Sequence, residues 1–284
     1  MTIKLGIIMD PIETIKPHKD TSLAMLLEAQ RRGWQIYYMQ QTDLFIQDHT
    51  PHGYMHLLTV QDDKNHWFNV ANSKTLALTE LDVILMRKDP PVDMSYINTT
   101  HLLELAEKKQ VLVVNSPQAL RDVNEKLFTT WFPQCCPAML VSNNIAALKK
   151  FAEQQQTIVI KPVDGMGGAG VFRLQHNDAN LTSALELLTN KGKILIIAQQ
   201  FIPEIAQGDK RILLINGKPI PYALARIPAP GETRGNLAAG GKGIAVKLTE
   251  RDHWICQQVG PTLKEKGLLF VGLDVIGDYL TEIN

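Results

Sequence analysis

Apolar and polar positions follow two different rhythms along this chain. Residues 3–9 (IKLGIIM) are apolar almost throughout, the pattern of a strand buried on both faces. After Asp10-Pro11 and a polar loop, Leu23, Ala24, Leu26 and Leu27 fall at helical spacing over 21–32, with Asp20 or Thr21 to cap the helix and Gly33 to stop it. A strand over 34–40 completes a β-α-β opening, which predicts a parallel sheet covered by helices. A buried strand over 81–87 leads into helix 95–109, strand 111–115 and helices over 117–122 and near 124–132. The second half changes character. Helices are expected over 145–155, 180–189 and 249–266. The strand pairs 211–215 and 219–226 flank Asn216-Gly217, a strong hairpin signal, and 270–284 reads as a final hairpin. Strands joined by hairpins predict a largely antiparallel sheet here. The expected division is 1–123, 124–202 and 203–284.

Between strand 158–160 and strand VFRLQ lies VDGMGGAG, with Gly165, Gly167, Gly168 and Gly170. Such a loop lets the backbone approach an anion and aim N–H groups at it, and Lys161 on the first strand adds a compact positive charge. The string matches G-x-G-x-x-G, yet a dinucleotide fingerprint needs a helix after the loop and a strand follows instead. No G-K-[ST] ends the loop either. A glycine hairpin holding nucleotide phosphates, or a plain glycine-rich turn, are the two readings.

Composition narrows the function. The 284 residues suit two domains or three lobes. Lys+Arg and Asp+Glu are 29 each, and this balance argues against general nucleic-acid binding. No apolar run approaches the about 18 residues of a membrane span, and the chain opens on a strand rather than a signal peptide. Cys135, Cys136 and Cys256 have no C-x-x-C spacing and read as reduced thiols of a cytoplasmic protein. His49, His52 and His56 have a spacing zinc tolerates, but Pro51 and Gly53 mark a surface hairpin.

The stretches LGIIMDPI, SLAMLLEAQRRG, DVILMRKDPP, LRDVNEKL, IVIKPVDGMGG, GDKRILLINGKPIPYALARIP, GETRGNLAAGGKG and GPTLKEKGLLFVGLDVIGDYLTEIN run from Leu5 to Asn284. Together they resemble the bacterial glutathione synthetases of the ATP-grasp superfamily. The resemblance implies an α/β (α+β) ATP-grasp fold: a Rossmann-like N-terminal domain and two lobes with antiparallel sheets clasping ATP. It implies ATP-dependent joining of γ-glutamylcysteine and glycine through an acyl phosphate, Mg²⁺ or Mn²⁺ as cofactor, a cytoplasmic homotetramer, and a further strand and helix beyond the E-x-N motif. No nucleic-acid or membrane partner is expected. Another ATP-grasp ligase, of the D-alanine or glutamate type, and a non-catalytic ATP-binding protein are the alternatives.

The resemblance also distributes roles. Lys126 and Lys161, with Gly165, Gly167 and Gly168, take the ATP phosphates, although by sequence alone Lys126 reads as a solvated helix lysine. Gln199, Gln200, Phe201 and Ile202 form the adenine hinge, whose Phe201 and Ile202 backbone meets the purine. Asp209 and Arg211 belong to the same nucleotide site. Arg226 and Arg234, with Lys161, stabilise the reacting groups from a mobile glycine-rich lid over 228–243. Asn236, Gly240, Gly241, Asn284 and Arg87 join them on the substrate, with Arg87-Lys88 reading equally as an ion-pair loop. Asp274, Glu282 and Asn284 offer oxygen ligands to Mg²⁺. For Asp274 to share a face with Glu282, the hairpin loop must hold an odd number of residues, which predicts a three-residue Gly277-Asp278-Tyr279 loop with a bulge.

Overall fold

The structure, a computed structural model, describes residues 2–229, 235 and 240–284. Arg234, Asn236 and most of the expected lid lie outside the described residues. Two compact units divide the chain, one of Met1–Asp122 with Lys266–Leu268, the other of Val123–Glu265 with Leu269–Asn284.

The first unit comprises β1 (Lys4–Met9), α1 (Thr21–Arg31), β2 (Gln35–Met39), β3 (Leu44–Gln47), β4 (Thr50–Val60), β5 (Phe68–Ala77), β6 (Val83–Arg87), α2 (Met94–Glu107), β7 (Leu112–Val114) and α3 (Pro117–Asp122). Strands β2, β1, β6 and β7 run parallel in that order, as the β-α-β opening predicts. Leu23, Leu26 and Ala29 of α1 pack with one set of sheet residues, and Tyr96, Leu103 and Ala106 of α2 with another. Asp20 caps α1, its carboxylate accepting from Leu23 N at 2.8 Å. Antiparallel β3, β4 and β5 extend the sheet, an extension larger than the hairpin expected around the histidines. His52 and His56 sit on β4, their Nδ1 atoms 2.9 and 3.0 Å from backbone carbonyls, and His52 stacks on Phe45.

The second unit holds two wholly antiparallel sheets. In the first, β8 (Met139–Ser142), β9 (Thr157–Pro162), β10 (Phe172–Gln175) and β11 (Ile196–Gln200) are covered by α4 (Ile145–Gln155) and α5 (Leu181–Leu188) through Leu148, Ala152 and Leu185. The second has the order β14 (Lys242–Lys247), β13 (Lys218–Ile227), β12 (Asp209–Ile215), β15 (Phe270–Ile276), β16 (Tyr279–Ile283), with α6 (Glu250–Glu265) before its last hairpin.

Two local expectations are corrected. In place of a helix near 124–132 there are 3₁₀ turns at Leu127–Trp131 and Pro133–Cys135. Asn124 Oδ1 accepts from Lys126 N and Leu127 N, the Thr129 and Thr130 hydroxyls donate three residues back, and Pro133 has no N–H to continue the turn. The β15–β16 loop has two residues, because Ile276 pairs with Tyr279. Parity is restored further along. Val275 faces Leu280 while Asp274 faces Glu282, so Thr281 is an extra residue in β16, and its hydroxyl donates to Asp274 O. Asp274 and Glu282 therefore share a face, as expected, through a bulge away from the turn.

Candidate active site

Register across the second sheet builds a charged row. Asp209 of β12 pairs with Arg226 of β13, Arg211 of β12 with Asp274 of β15, and Asp274 with Glu282 of β16. Residues directly opposite in antiparallel strands project to the same face, so these five side chains form one surface. Arg211 grips Asp274 through two nitrogens, and Arg226 Nη2 lies 2.8 Å from the same carboxylate and also donates to Asp209. Gly272 makes room for this: a Cβ there would sit 2.6 Å from Arg211 Cδ. On the reverse face Lys210 pairs with buried Asp252 of α6.

Burial and the neighbouring charges set the protonation of this row. Burial opposes the Asp274 charge, but Arg211 and Arg226 overcome it and hold the carboxyl below its usual range. Asp209 goes the other way. Burial first, then the negative Asp274, push it up to about 7 despite Arg226. Among the described residues Asp209 Oδ1 and Arg226 Nε are buried without a hydrogen-bond partner, an arrangement suited to receiving a ligand.

Ten residues expected at the nucleotide line one cavity: Lys126, Lys161, Gly165, Gly167, Gly168, Gln199, Gln200, Phe201, Ile202 and Asp209. Glu282 lines it as well. Lys161 reaches Glu282 Oε1 at 3.4 Å, and Lys126 donates to Glu125 and, at 2.8 Å, to Gly165 O. Both lysines are buried, at 8% and 6% exposure, so the reading of Lys126 as a solvated helix lysine fails. Gly165 has φ +122° and Gly168 +81°, conformations that side-chain-bearing residues rarely adopt.

The remaining candidates lie elsewhere. Arg211, Arg226, Asp274 and Asn284 are absent from the cavity lining, the first three joined in the charged row. Asn284 Nδ2 is 3.4 Å from Asp274 Oδ2. Gly240 is exposed and Gly241 half-buried just before β14. Arg87 belongs to the first unit, where it donates to Ser22 and burial lowers its guanidinium below the usual range, while Lys88 pairs with Asp10. At the hinge, where the Phe201 and Ile202 backbone is expected to meet the purine, Phe201 N donates to Thr157 O.

The sequence reading missed Glu125 beside Lys126, and also Val159, Met166, Arg173, Ile205 and Ile276 of the lining. Arg173 lies over the Phe201 ring at 4.1 Å. The strand residues were readable in principle as one face of an alternating strand. Nothing local marks Glu125.

Metal fit rests on the donor set. Asp274, Glu282 and Asn284 supply hard oxygen donors, and near them the buried Asp209 Oδ1 has no hydrogen-bond partner, an oxygen of the kind a divalent cation takes. Among the described residues no group of three or more His, Cys, Asp or Glu side chains is gathered for an ion. The set is therefore two carboxylates and an amide, a composition that suits Mg²⁺ sharing its shell with phosphate and water.

Known proteins agree with this architecture. Residues 125–284 match the family described as prokaryotic glutathione synthetase, ATP-grasp domain, and residues 3–121 match prokaryotic glutathione synthetase, N-terminal domain. The glutathione synthetase of Pseudomonas syringae pv. tomato is 58% identical over all of this chain and 89% of its own length. That of Coxiella burnetii is 55% identical over 100% of this chain and 88% of its own. Among solved structures, the D-cycloserine synthetase DcsG superposes with TM-score 0.67 at 14% identity, covering 99% of this chain and 91% of that one. The ATP-grasp ligase PsnB with its minimal precursor gives 0.64 at 17%, covering 100% and 90%. The structural likenesses establish an ATP-grasp fold, and the sequence matches establish that the chain belongs to the prokaryotic glutathione synthetase family.

Proposed function

We propose that the protein joins γ-glutamylcysteine to glycine at the expense of ATP, giving glutathione, ADP and phosphate. The cavity that gathers Lys126, Lys161 and the glycine loop opposite Glu282 carries this reading. ATP brings about four negative charges, and transfer of its γ-phosphoryl group needs them neutralised and held in line. Lys161 and Lys126 take the phosphates, exchanging Glu282 and Glu125 for them, while the glycine-loop amides cover them. Val159, Ile205 and Ile276 offer the apolar slot for adenine. The cysteinyl carboxylate attacks the γ-phosphorus, ADP leaves, and an acyl phosphate forms. Glycine's amine then attacks the acyl carbon and phosphate departs. Arg226, reaching into the row from β13, stabilises the charge on the acyl oxygen, and Arg234 is assigned the same task. Asn236, Gly240, Gly241, Asn284 and Arg87 are assigned to the two amino-acid substrates.

Asp274, Glu282 and Asn284 would hold Mg²⁺, with Mn²⁺ a workable substitute, and a bound cation supplies charge neutralisation along the phosphates. No side-chain nucleophile is needed, because the covalent intermediate forms on the substrate. The three-part division 1–123, 124–202 and 203–284, a homotetrameric assembly and a cytoplasmic location belong to the same proposal. No described helix is long and apolar enough to cross a membrane. The test is ADP release with γ-glutamylcysteine, with and without glycine, alongside D-alanine and glutamate as competing acceptors. Glycine-dependent turnover is expected, and turnover only with another acceptor would replace this substrate assignment.

A further inference from the structure

Lys126 is almost wholly buried, yet its ammonium is not waiting free for a phosphate. It donates to the Glu125 carboxylate and, at 2.8 Å, to the carbonyl of Gly165, the first glycine of the phosphate loop. Glu125 takes no part in the bond-making or bond-breaking steps described above. Its backbone is fixed, since Glu125 O accepts from Ile283 N at 2.8 Å, next to Glu282. An unpaired ammonium at this depth would be costly, and Glu125 supplies the anion. The ammonium has three N–H donors, of which Glu125 and the Gly165 carbonyl take two, so a nucleotide phosphate at Lys126 either takes the third or displaces the carboxylate, and in both cases it lies beside a like charge in a partly desolvated pocket.

We infer that Glu125 is a positioning residue that occupies Lys126 as an internal substitute for nucleotide phosphate, weakening ADP binding and so favouring its release. The inference rests on the assignment of Lys126 to the phosphates. The second Lys126 contact ties this cation to the phosphate loop, because the same ammonium that holds Glu125 also donates to the Gly165 carbonyl. Burial lifts the Glu125 carboxyl above its usual range, with the nearby Glu282 and Asp274 charges adding to it, although Lys126 pulls it down.

Calorimetric titration of the full chain with ADP in Mg²⁺ buffer, repeated with adenosine, tests this. Glu125→Gln is expected to bind ADP on the order of tenfold more tightly and adenosine unchanged. The gain is expected to vanish in a Lys126→Ala background. Unchanged or weaker ADP binding by Glu125→Gln overturns the inference. So does an equal change for adenosine, which would mark a structural role, or a gain that survives in Lys126→Ala. If Glu125→Gln does not fold, Glu125→Ala carries the same test. Failure of the wild-type chain to bind ADP would instead remove the nucleotide reading itself, and this inference with it.

Discussion

Lys161 and Glu282 come from different sheets and meet at 3.4 Å with both side chains at least three-quarters covered. Substituting either leaves a partly buried charge unpaired, and under the proposed mechanism it also removes phosphate or metal contact in the transition state. Lys161→Ala and Glu282→Ala are each expected to lower kcat/KM by about a hundredfold or more in steady-state ADP release, and near-normal rates would refute their roles. Gly272 tests the charged row by space alone. A methyl there meets Arg211 Cδ at 2.6 Å, so in Gly272→Ala the arginine must shift where it grips Asp274. Activity is expected to fall by about tenfold or more, with about 1–3 kcal/mol lost in urea unfolding. Asp209 gives a pH signature. Its carboxyl titrates near 4 unfolded and at about 7 folded, so the folded state holds a proton that the unfolded chain has released between those values. Its contribution is present below pH 4 and is lost as pH rises to about 7. The stability of nucleotide-free Asp209→Asn relative to wild type should therefore increase across this window, and a flat difference would refute the burial argument.

Elements carry these residues, and one contact shows how closely. Gly260 of α6 lies against the β12–β13 turn, where a Cβ would sit 2.3 Å from Gly217 O. Backbone cannot swing aside as a long side chain can, so Gly260→Ala must part the helix from the hairpin. A loss of about 1–3 kcal/mol in denaturant unfolding is expected, and a neutral substitution would show the packing is looser. The Asn216-Gly217 turn itself was legible, because only certain residues accept its positive φ values of 50° and 74°. So were the parallel strands around β1 and the strand after the glycine loop, which run on local periodicity. The Thr281 bulge was not, because a bulge is decided by what both strands pack against and leaves no residue signature. The burial of Lys126 was equally hidden: residue 165 covers residue 126, and no window of sequence contains both. The Phe201 amide illustrates the same limit, since its partner Thr157 lies 44 positions away in a different strand.

At the scale of the whole molecule, formal charge cancels at 29 against 29, so attraction for a polyanion has to be local. In the second unit Lys126, Lys161, Arg211 and Arg226 face Glu125, Asp209, Asp274 and Glu282, four cations against four carboxylates. A site so balanced gains little from a nucleotide alone, whose phosphates displace carboxylates that must then be tolerated nearby. A divalent cation reverses that balance by drawing the carboxylates and the phosphates together. Nucleotide binding should thus be strongly metal-dependent, and by mass action so should stability, by about 2.7 kcal/mol at a hundredfold excess over Kd. In thermal unfolding, ADP with Mg²⁺ is expected to raise the Tm clearly more than ADP with a chelator, while adenosine shows no such difference. Glu282→Gln should lose the Mg²⁺-dependent part of the ADP shift and keep the adenosine shift. An equal ADP shift with and without Mg²⁺ would mean that the lysines and the glycine loop suffice, and that the carboxylates serve the lysines rather than a metal.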